Sequence, residues 1–119
     1  MMIVAVVTNS GKSVSNHIAL AKKIAFYDFP KGNLIKIIPN PIMEKIKDNN
    51  IKLEKNPSGG RHLKTGKELP KFLAKEGANI FIAKQMGEGM KMNLIDLGIK
   101  PCSTQAQTIE DAIGELKCL

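Results

Sequence analysis

The chain has 119 residues, enough for one domain spanning residues 1–119 with its own core, and 43% hydrophobic and 24% charged residues exclude global disorder. Its apolar runs fall short of the roughly 20 residues that a membrane-spanning helix needs, and the opening Met1–Val7 is too short for a signal peptide. Two cysteines, Cys102 and Cys118, do not make a disulfide framework. We therefore expect a cytoplasmic protein with reduced thiols and no membrane partner.

The net charge of +7 raises the question of a nucleic-acid partner. Almost all basic residues are lysines, and Arg61 is the single arginine, although arginine is preferred for bidentate recognition of phosphate and guanine. Aromatic residues available for base stacking are few. The composition favours a lysine-rich solvated surface and makes nucleic acid an unlikely partner.

The first part of the chain predicts a strand and then a hairpin. Met2–Val7 is a continuous apolar run, typical of a central strand. The following Gly11-Lys12-Ser13 resembles the end of a phosphate-binding loop, but Val6 stands where that motif needs its first glycine. Two further apolar runs, Lys23–Phe29 and Leu34–Ile38, flank a Pro-Lys-Gly-Asn turn and predict an antiparallel pair of strands.

The middle of the chain changes composition. Between Asn40 and Gly60 it mixes charges with Asn, Pro and Gly, which predicts a mobile loop within the single domain. A helix should follow and end at Gly77, with its start either near Thr65 or near Pro70, because proline removes a helical hydrogen bond. Lysines at every fourth position form a basic stripe beside its apolar side: Lys67, Lys71 and Lys75.

The last third alternates strands and helices. Asn79–Ala83 reads as a buried strand, and Gly87-Glu88-Gly89 opens a helix whose inward residues are predicted to be Met90, Leu94, Ile95 and Leu97. A short strand led by Ile99 and a helix capped by Thr108 complete the order β-β-β-α-β-α-β-α. This order predicts an α/β fold with a five-stranded mixed sheet, in which strands one, four and five are parallel.

Several segments in this order resemble one family: Val14-Ser15-Asn16-His17, the turn at Pro30-Lys31-Gly32, the run Leu73–Ala83, and Gly87-Glu88-Gly89-Met90 with Leu94–Ile99. The resemblance is to the dinitrogenase iron-molybdenum cofactor biosynthesis family, which implies a three-layer α/β/α, ribonuclease H-like fold. It also implies a nitrogen fixation-related protein that carries iron-molybdenum cofactor, its precursor or an iron–sulfur cluster. The chain departs from the family at Ile18-Ala19-Leu20, where Phe-Gly-Arg is usual, and its normally histidine-rich loop keeps only His62.

The candidate site lies where parallel strands end, because ligands of open α/β sheets bind outside the carboxyl ends of strands. Backbone N–H groups of Gly87–Gly89 would attract an anion, and Lys12 and Lys84 would add positive charge. With the resemblance, His17 and Cys102 become candidate metal ligands, and His62 becomes a further cofactor-binding candidate. Each also has a plainer interpretation, as a solvated histidine or as a small buried cysteine.

No catalytic constellation is recognisable, and Asp28 is the only carboxylate on a predicted strand, which argues against a nuclease. The function predicted is a non-catalytic carrier of an iron-containing cofactor, working with a protein that donates or accepts it. Two alternatives stay open: a lysine-rich module binding nucleic acid or another anion, and a small enzyme acting on a phosphorylated compound at the glycine turn.

Overall fold

A computed structural model describes residues 2–43 and 65–116 of the chain. His62, Cys118 and positions 44–60 of the predicted loop lie outside the described residues. The described part contains five strands, β1 (Met2–Thr8), β2 (Lys23–Phe29), β3 (Leu34–Pro39), β4 (Ile80–Ala83) and β5 (Lys100–Ser103), and the helices α1 (Thr65–Lys75), α2 (Glu88–Asp96) and α3 (Ile109–Gly114). Residues 41–43 are also helical. Within it, no helix has the length and apolar character that crossing a bilayer requires.

The strands form one mixed sheet in the order β3-β2-β1-β4-β5. β1 pairs antiparallel with β2 and parallel with β4, β2 pairs antiparallel with β3, and β4 pairs parallel with β5. The carboxyl ends of β1, β4 and β5 therefore lie at one edge of the sheet, which we call the carboxyl edge. The predicted α/β fold with an N-terminal hairpin and a five-stranded mixed sheet is confirmed.

Successive side chains of the central strands point to opposite faces of the sheet, so the core has two layers. One layer, the α1/α2 face, holds Val7, Phe26 and Phe81 with Leu73 and Leu94 of the two longer helices. The opposite layer, the α3 face, contains a second set of buried side chains that includes Val4, Val6, Ile82, Ile109 and Ile113. Because β1 and β4 lie at the centre with a helix layer on each side, their predicted continuous apolar runs are buried on both faces.

Turn and cap residues lie where the sequence predicts them. Gly32 in the β2–β3 turn and Gly77 after α1 have positive φ angles of 76° and 85°, which glycine adopts without strain. Ala78 N–H donates to the Leu73 carbonyl and closes the end of α1. The Thr108 side chain accepts the Asp111 N–H at 3.1 Å and caps α3.

α1 starts at Thr65 and continues through Pro70, so its regular part does not begin at the proline. A proline cannot donate a hydrogen bond to the carbonyl four residues earlier, which here belongs to Gly66. The Asn93 side-chain amide of α2 donates to that carbonyl at 2.7 Å. One helix thus supplies the hydrogen bond that the proline removes from its neighbour, and this explains how α1 tolerates Pro70.

Two of the four residues predicted to face inward from α2 are exposed, so the prediction is wrong for them. Met90 and Leu94 are buried, but Ile95 is 61% exposed and Leu97 is 45% exposed. Successive residues of a helix point about 100° apart, and the buried stripe of α2 follows the i, i+4 pair Met90 and Leu94. Ile95 therefore points to solvent, and Leu97 is the C-cap residue beyond the helix.

The first residues of the predicted mobile loop pack against the α1/α2 face. Asn40 is fully buried, and its side-chain amide donates to the Ile18 and Ala21 carbonyls at 2.8 and 2.9 Å. Ile42 is also buried and belongs to the same core layer. The described start of this segment, residues 40–43, thus fastens the chain after β3 to the stretch before β2.

Candidate functional site

The carboxyl edge carries three loops, after Thr8, after Ala83 and after Ser103. The loops are linked to one another by hydrogen bonds. Ser13 and Thr108 form an isolated antiparallel bridge, and Thr104 N–H donates to the Ala83 carbonyl at 3.1 Å. The edge is consequently one connected surface built from three separate segments of the chain.

The loop after β1 takes its shape from two hydroxyl groups. Thr8 is fully buried, and its Oγ1 donates to the Ser13 carbonyl at 2.6 Å while accepting the Gly11 N–H at 2.9 Å. The Ser10 Oγ accepts the N–H groups of Lys12 and Ser13 at 3.1 and 3.2 Å. The loop is thus held from within, and Lys12 remains exposed.

Lys84 and Gln107 connect the loops after β4 and β5. The Lys84 Nζ donates to the Gln107 Oε1 at 2.9 Å, and the Gln107 carbonyl accepts the Val14 N–H at 2.9 Å. Lys84 therefore has a fixed partner, whereas Lys12 has no ion-pair partner among the described residues. Sequence reasoning missed Thr8 and Gln107, because a single threonine or glutamine outside a motif carries no recognisable pattern.

The start of α2 offers open backbone. Gly87 is the N-cap residue, and no side chain caps the helix there. A Cβ atom added at Gly87 or Gly89 would meet no heavy atom within 4 Å, so space is free on both glycines. The Glu88 carboxylate lies 3.7 Å from the Lys91 Nζ, an i, i+3 pair that offsets its negative charge.

His17 lies where the chain passes from one face of the sheet to the other. The His17 backbone N–H donates to the Ser15 Oγ at 3.2 Å, and the Ser15 hydroxyl donates to the His17 backbone carbonyl at 2.8 Å. The residue is exposed. Val14 before it packs on the α3 face, and Ile18 after it packs on the α1/α2 face together with Met86. Packing of Ile18 and Met86 in one layer places the segment after His17 on the same side as the start of α2.

Cys102 differs from its predicted state. It is 4% exposed in the α3-face layer, and it is disulfide-bonded, so the expectation of a reduced thiol fails at this residue. A cysteine coordinates metal as a thiolate, so a disulfide sulfur is not available for that role. Cys102 instead lines a cleft of about 240 Å³ between β5 and α3, beside the Thr104 hydroxyl, which donates to the Glu115 carboxylate at 2.9 Å.

Within residues 2–43 and 65–116, no group of three or more His, Cys, Asp or Glu side chains could hold a metal ion. Of the predicted ligands, His17 lies on the exposed surface of this part and Cys102 in its core, while His62 lies outside it. The predicted lysine stripe is confirmed as exposed on α1.

Comparison with known proteins agrees with this architecture. The apo form of the orange protein from Desulfovibrio gigas is similar over 100% of this chain and 93% of its own, with a TM-score of 0.71 and 16% identity. A NifB-like protein of the DUF35 family from Thermotoga is similar over 96% of this chain and 85% of its own, with a TM-score of 0.64 and 22% identity. At these identities the similarity establishes the fold.

A third similar structure is a dinitrogenase-like protein from Methanocaldococcus jannaschii, with a TM-score of 0.60 and 19% identity over 99% of this chain and 94% of its own. No curated protein sequence matches the chain. The family model described as dinitrogenase iron-molybdenum cofactor matches residues 1–118. The chain therefore belongs to the dinitrogenase iron-molybdenum cofactor family.

Proposed function

We propose that the chain binds an iron-containing cofactor, of the iron–molybdenum or iron–sulfur type, or its precursor, at the carboxyl edge and passes it to another protein without chemical turnover. The observation that carries this proposal is the meeting of the loops after β1, β4 and β5 at one edge. The family supports a cofactor-related role. Among the described residues, Lys12, Lys84, His17 and the backbone of Gly87–Gly89 would bind the cofactor.

The edge matches an anionic cargo through charge and open backbone. Lys12 is exposed without an ion-pair partner among the described residues, and Lys84 stands after β4 in the neighbouring loop. The first N–H groups of α2 have no side-chain cap, and the space at Gly87 and Gly89 is free. Unpaired N–H groups at the start of a helix favour negative charge, so these elements act in the same direction.

His17 completes this set as a candidate metal ligand, because a neutral imidazole nitrogen binds iron and the residue is exposed at the edge. Cys102 is left out, because its sulfur is already bonded. A single imidazole and two lysines hold a cluster less firmly than three or four protein ligands would. Weak, mostly electrostatic holding suits a carrier that must release its cargo to a partner protein.

The test is anaerobic uptake of two separate probes, isolated iron–molybdenum cofactor and a synthetic [4Fe–4S] thiolate cluster. Protein-bound iron after gel filtration and the visible absorption spectrum report binding. We expect wild-type protein to retain at least one probe and the Lys12→Ala/Lys84→Ala and His17→Ala variants to retain less. Lys100→Ala is the matched control, since Lys100 is an exposed lysine at the start of β5, away from the carboxyl edge.

Two results would contradict the proposal. Equal uptake by all variants would show that the cofactor does not bind at the carboxyl edge. Absence of uptake by wild-type protein would show that the chain is not a carrier of these cofactors. In the second case, the exposed lysine stripe of α1 directs the next assay to nucleic acid, whose affinity should fall steeply with salt. Turnover of a phosphorylated compound would indicate an enzyme.

A further inference from the structure

The α3 face covers only part of the sheet. α3 has six residues and packs with side chains of β1, β4 and β5, including Val6, Ile82 and Cys102. Beside it, a groove of about 860 Å³ runs along β2, with Tyr27 and Phe29 on the β2 side, Ile113 on the α3 side, and Lys12 and Lys31 among its lining residues. Among the described residues, no helix covers β3 or the end of β2 at Tyr27 and Phe29 on this face.

The edge strand β3 lies next to β2 and carries exposed apolar side chains beside this groove. Leu34 is 52% exposed, Ile35 44% and Ile37 37%. Ile37 pairs with Ala25 and Leu34 with Tyr27, and directly opposite residues share a face, so Leu34 and Ile37 lie on the α3 face. β3 and the groove thus form one apolar surface, which we call the β3 surface.

Part of the β3 backbone also has no hydrogen-bond partner among the described residues. Asn40 N–H donates to the Lys22 carbonyl, and bonding alternates along an antiparallel ladder, so the N–H and carbonyl of Ile37 point away from the sheet. Edge strands are usually protected by a lysine or a proline or by being short. The opposite edge strand, β5, is protected in this way, since it has four residues and Pro101 inside it, whereas β3 has six residues and its proline, Pro39, stands at its last position.

The lysine of β3 gives no such protection. Lys36 forms a salt bridge with Glu76, and its Nζ lies 5.1 Å from the centre of the Phe26 ring, which packs on the α1/α2 face. Its charge is therefore turned away from the α3 face. The middle of β3 presents apolar side chains and free backbone groups together, which are the features that an added strand recognises.

The charges at the two ends of β3 indicate what kind of segment could pair with this strand. Exposed lysines stand at both ends of β3: Lys31 in the turn before it, and Lys22 and Lys23 beside Pro39 at its end. None of these three lysines has a salt-bridge partner within the described residues. A second copy pairing through β3, parallel or antiparallel, would bring like charges together at both ends, and the net charge of +7 adds to the repulsion.

We propose that the β3 surface docks an extended segment of a partner protein, apolar in its middle and acidic at both ends, which pairs with β3 as a sixth strand. Its backbone bonds to Ile37, its apolar side chains on the α3 face pack beside Leu34 and Ile37, and its acidic ends meet Lys31 at one end and Lys23 at the other. The groove reaches the carboxyl edge at Lys12, but docking along β3 does not require a cofactor bound at that edge.

The probe is a synthetic peptide, acetyl-Glu-Glu-Val-Thr-Val-Thr-Val-Glu-Glu-amide, compared with the same peptide in which every Glu is Lys. Tyr27 reports binding directly, because it lines the groove, is the only tyrosine and is accompanied by no tryptophan. Amide hydrogen exchange at Ile37 reports strand pairing. The variants are Lys23→Glu/Lys31→Glu and Ile37→Lys, and Lys100→Glu on β5 is the matched control.

We expect the acidic peptide to change Tyr27 fluorescence and to slow exchange at Ile37. The lysine peptide and the double charge reversal should each weaken binding by about tenfold or more at low salt, and Lys100→Glu should leave it unchanged. Ile37→Lys should weaken binding while circular dichroism confirms the fold. Equal binding of both peptides, or no response of Tyr27 and Ile37, would overturn the proposal. Protection of Ile37 that grows with protein concentration alone would instead identify a second copy as the occupant.

Discussion

The two faces of the sheet are built differently. On the α1/α2 face, two helices of 11 and 9 residues and the buried Asn40 and Ile42 cover the strands, and the packed layer extends from Ile38 on β3 to Leu94 on α2. On the α3 face, the part of the chain that the structure describes supplies one six-residue helix, which covers the centre and leaves β3 and the end of β2 uncovered. One sheet thus has a closed side and a partly open side.

Because of this difference, substitutions on the two faces should affect different properties of the protein. On the closed face, replacing a side chain should cost folding free energy, because its neighbours cannot collapse around a gap. The exposed or half-buried side chains of β2 and β3 on the α3 face, such as Leu34 and Tyr27, already contact solvent, so changes there should alter binding and titration more than folding. Substitutions on the two faces should therefore differ in their effect on the free energy of unfolding.

Leu94→Ala should lower the free energy of unfolding by about 2–5 kcal/mol, because Leu94 is fully buried on the closed face. Its neighbour Ile95 is 61% exposed, and Ile95→Ala should change the same quantity by less than about 0.5 kcal/mol. Urea denaturation of both variants measures the contrast. Similar losses for the two adjacent residues would contradict the orientation of α2.

Asn93→Ala should lower the free energy of unfolding by about 1–3 kcal/mol, because it leaves the Gly66 carbonyl without its donor. Pro70→Ala supplies a backbone N–H at the position that should bond this carbonyl. In the Pro70→Ala background, Asn93→Ala should therefore cost clearly less. A double-mutant cycle tests this coupling, and additive losses would show that the two residues act independently.

The smallest effect concerns Tyr27 on the open face. Burial raises the pKa of the Tyr27 phenol above its ordinary value of 10.0. The folded protein then holds this proton more tightly than the unfolded chain, so the stabilisation is fully present below pH 10 and is lost as pH rises through the folded pKa. Tyr27→Phe should flatten the alkaline loss of stability. The phenolate absorbance gives the pKa, and a value at or below that of the denatured chain would contradict the burial.

Much of the fold follows from local sequence signals. Apolar runs such as Met2–Val7, glycines at turn positions such as Gly32, and the cap at Thr108 each predict one element, and the element order predicts the mixed sheet. The orientation of Ile95 was not predictable in this way, because a short helix with apolar residues on several sides has no single hydrophobic stripe. Tertiary packing on Leu94 decides it.

The candidate site was predictable only in outline. Parallel strand ends and the Gly87–Gly89 turn identify the carboxyl edge from sequence. The contacts that shape it, from Thr8 to Ser13 and from Lys84 to Gln107, join residues whose pairing depends on the folded chain. The bonded state of Cys102 likewise has no local sequence signal, because disulfide formation depends on distances in the folded chain.

The most direct test of the central claim is to locate a bound iron cofactor by nuclear magnetic resonance. The paramagnetic cofactor broadens the amide signals nearest to it, and adding it stepwise to isotope-labelled apo protein ranks the amides by proximity. We expect broadening to begin at Lys12, His17 and Gly87–Gly89 on the carboxyl edge and to leave the signals of Lys31 and Leu34 sharp. Broadening that begins at the β2–β3 turn or along the lysines of α1, with the carboxyl edge unaffected, would contradict it.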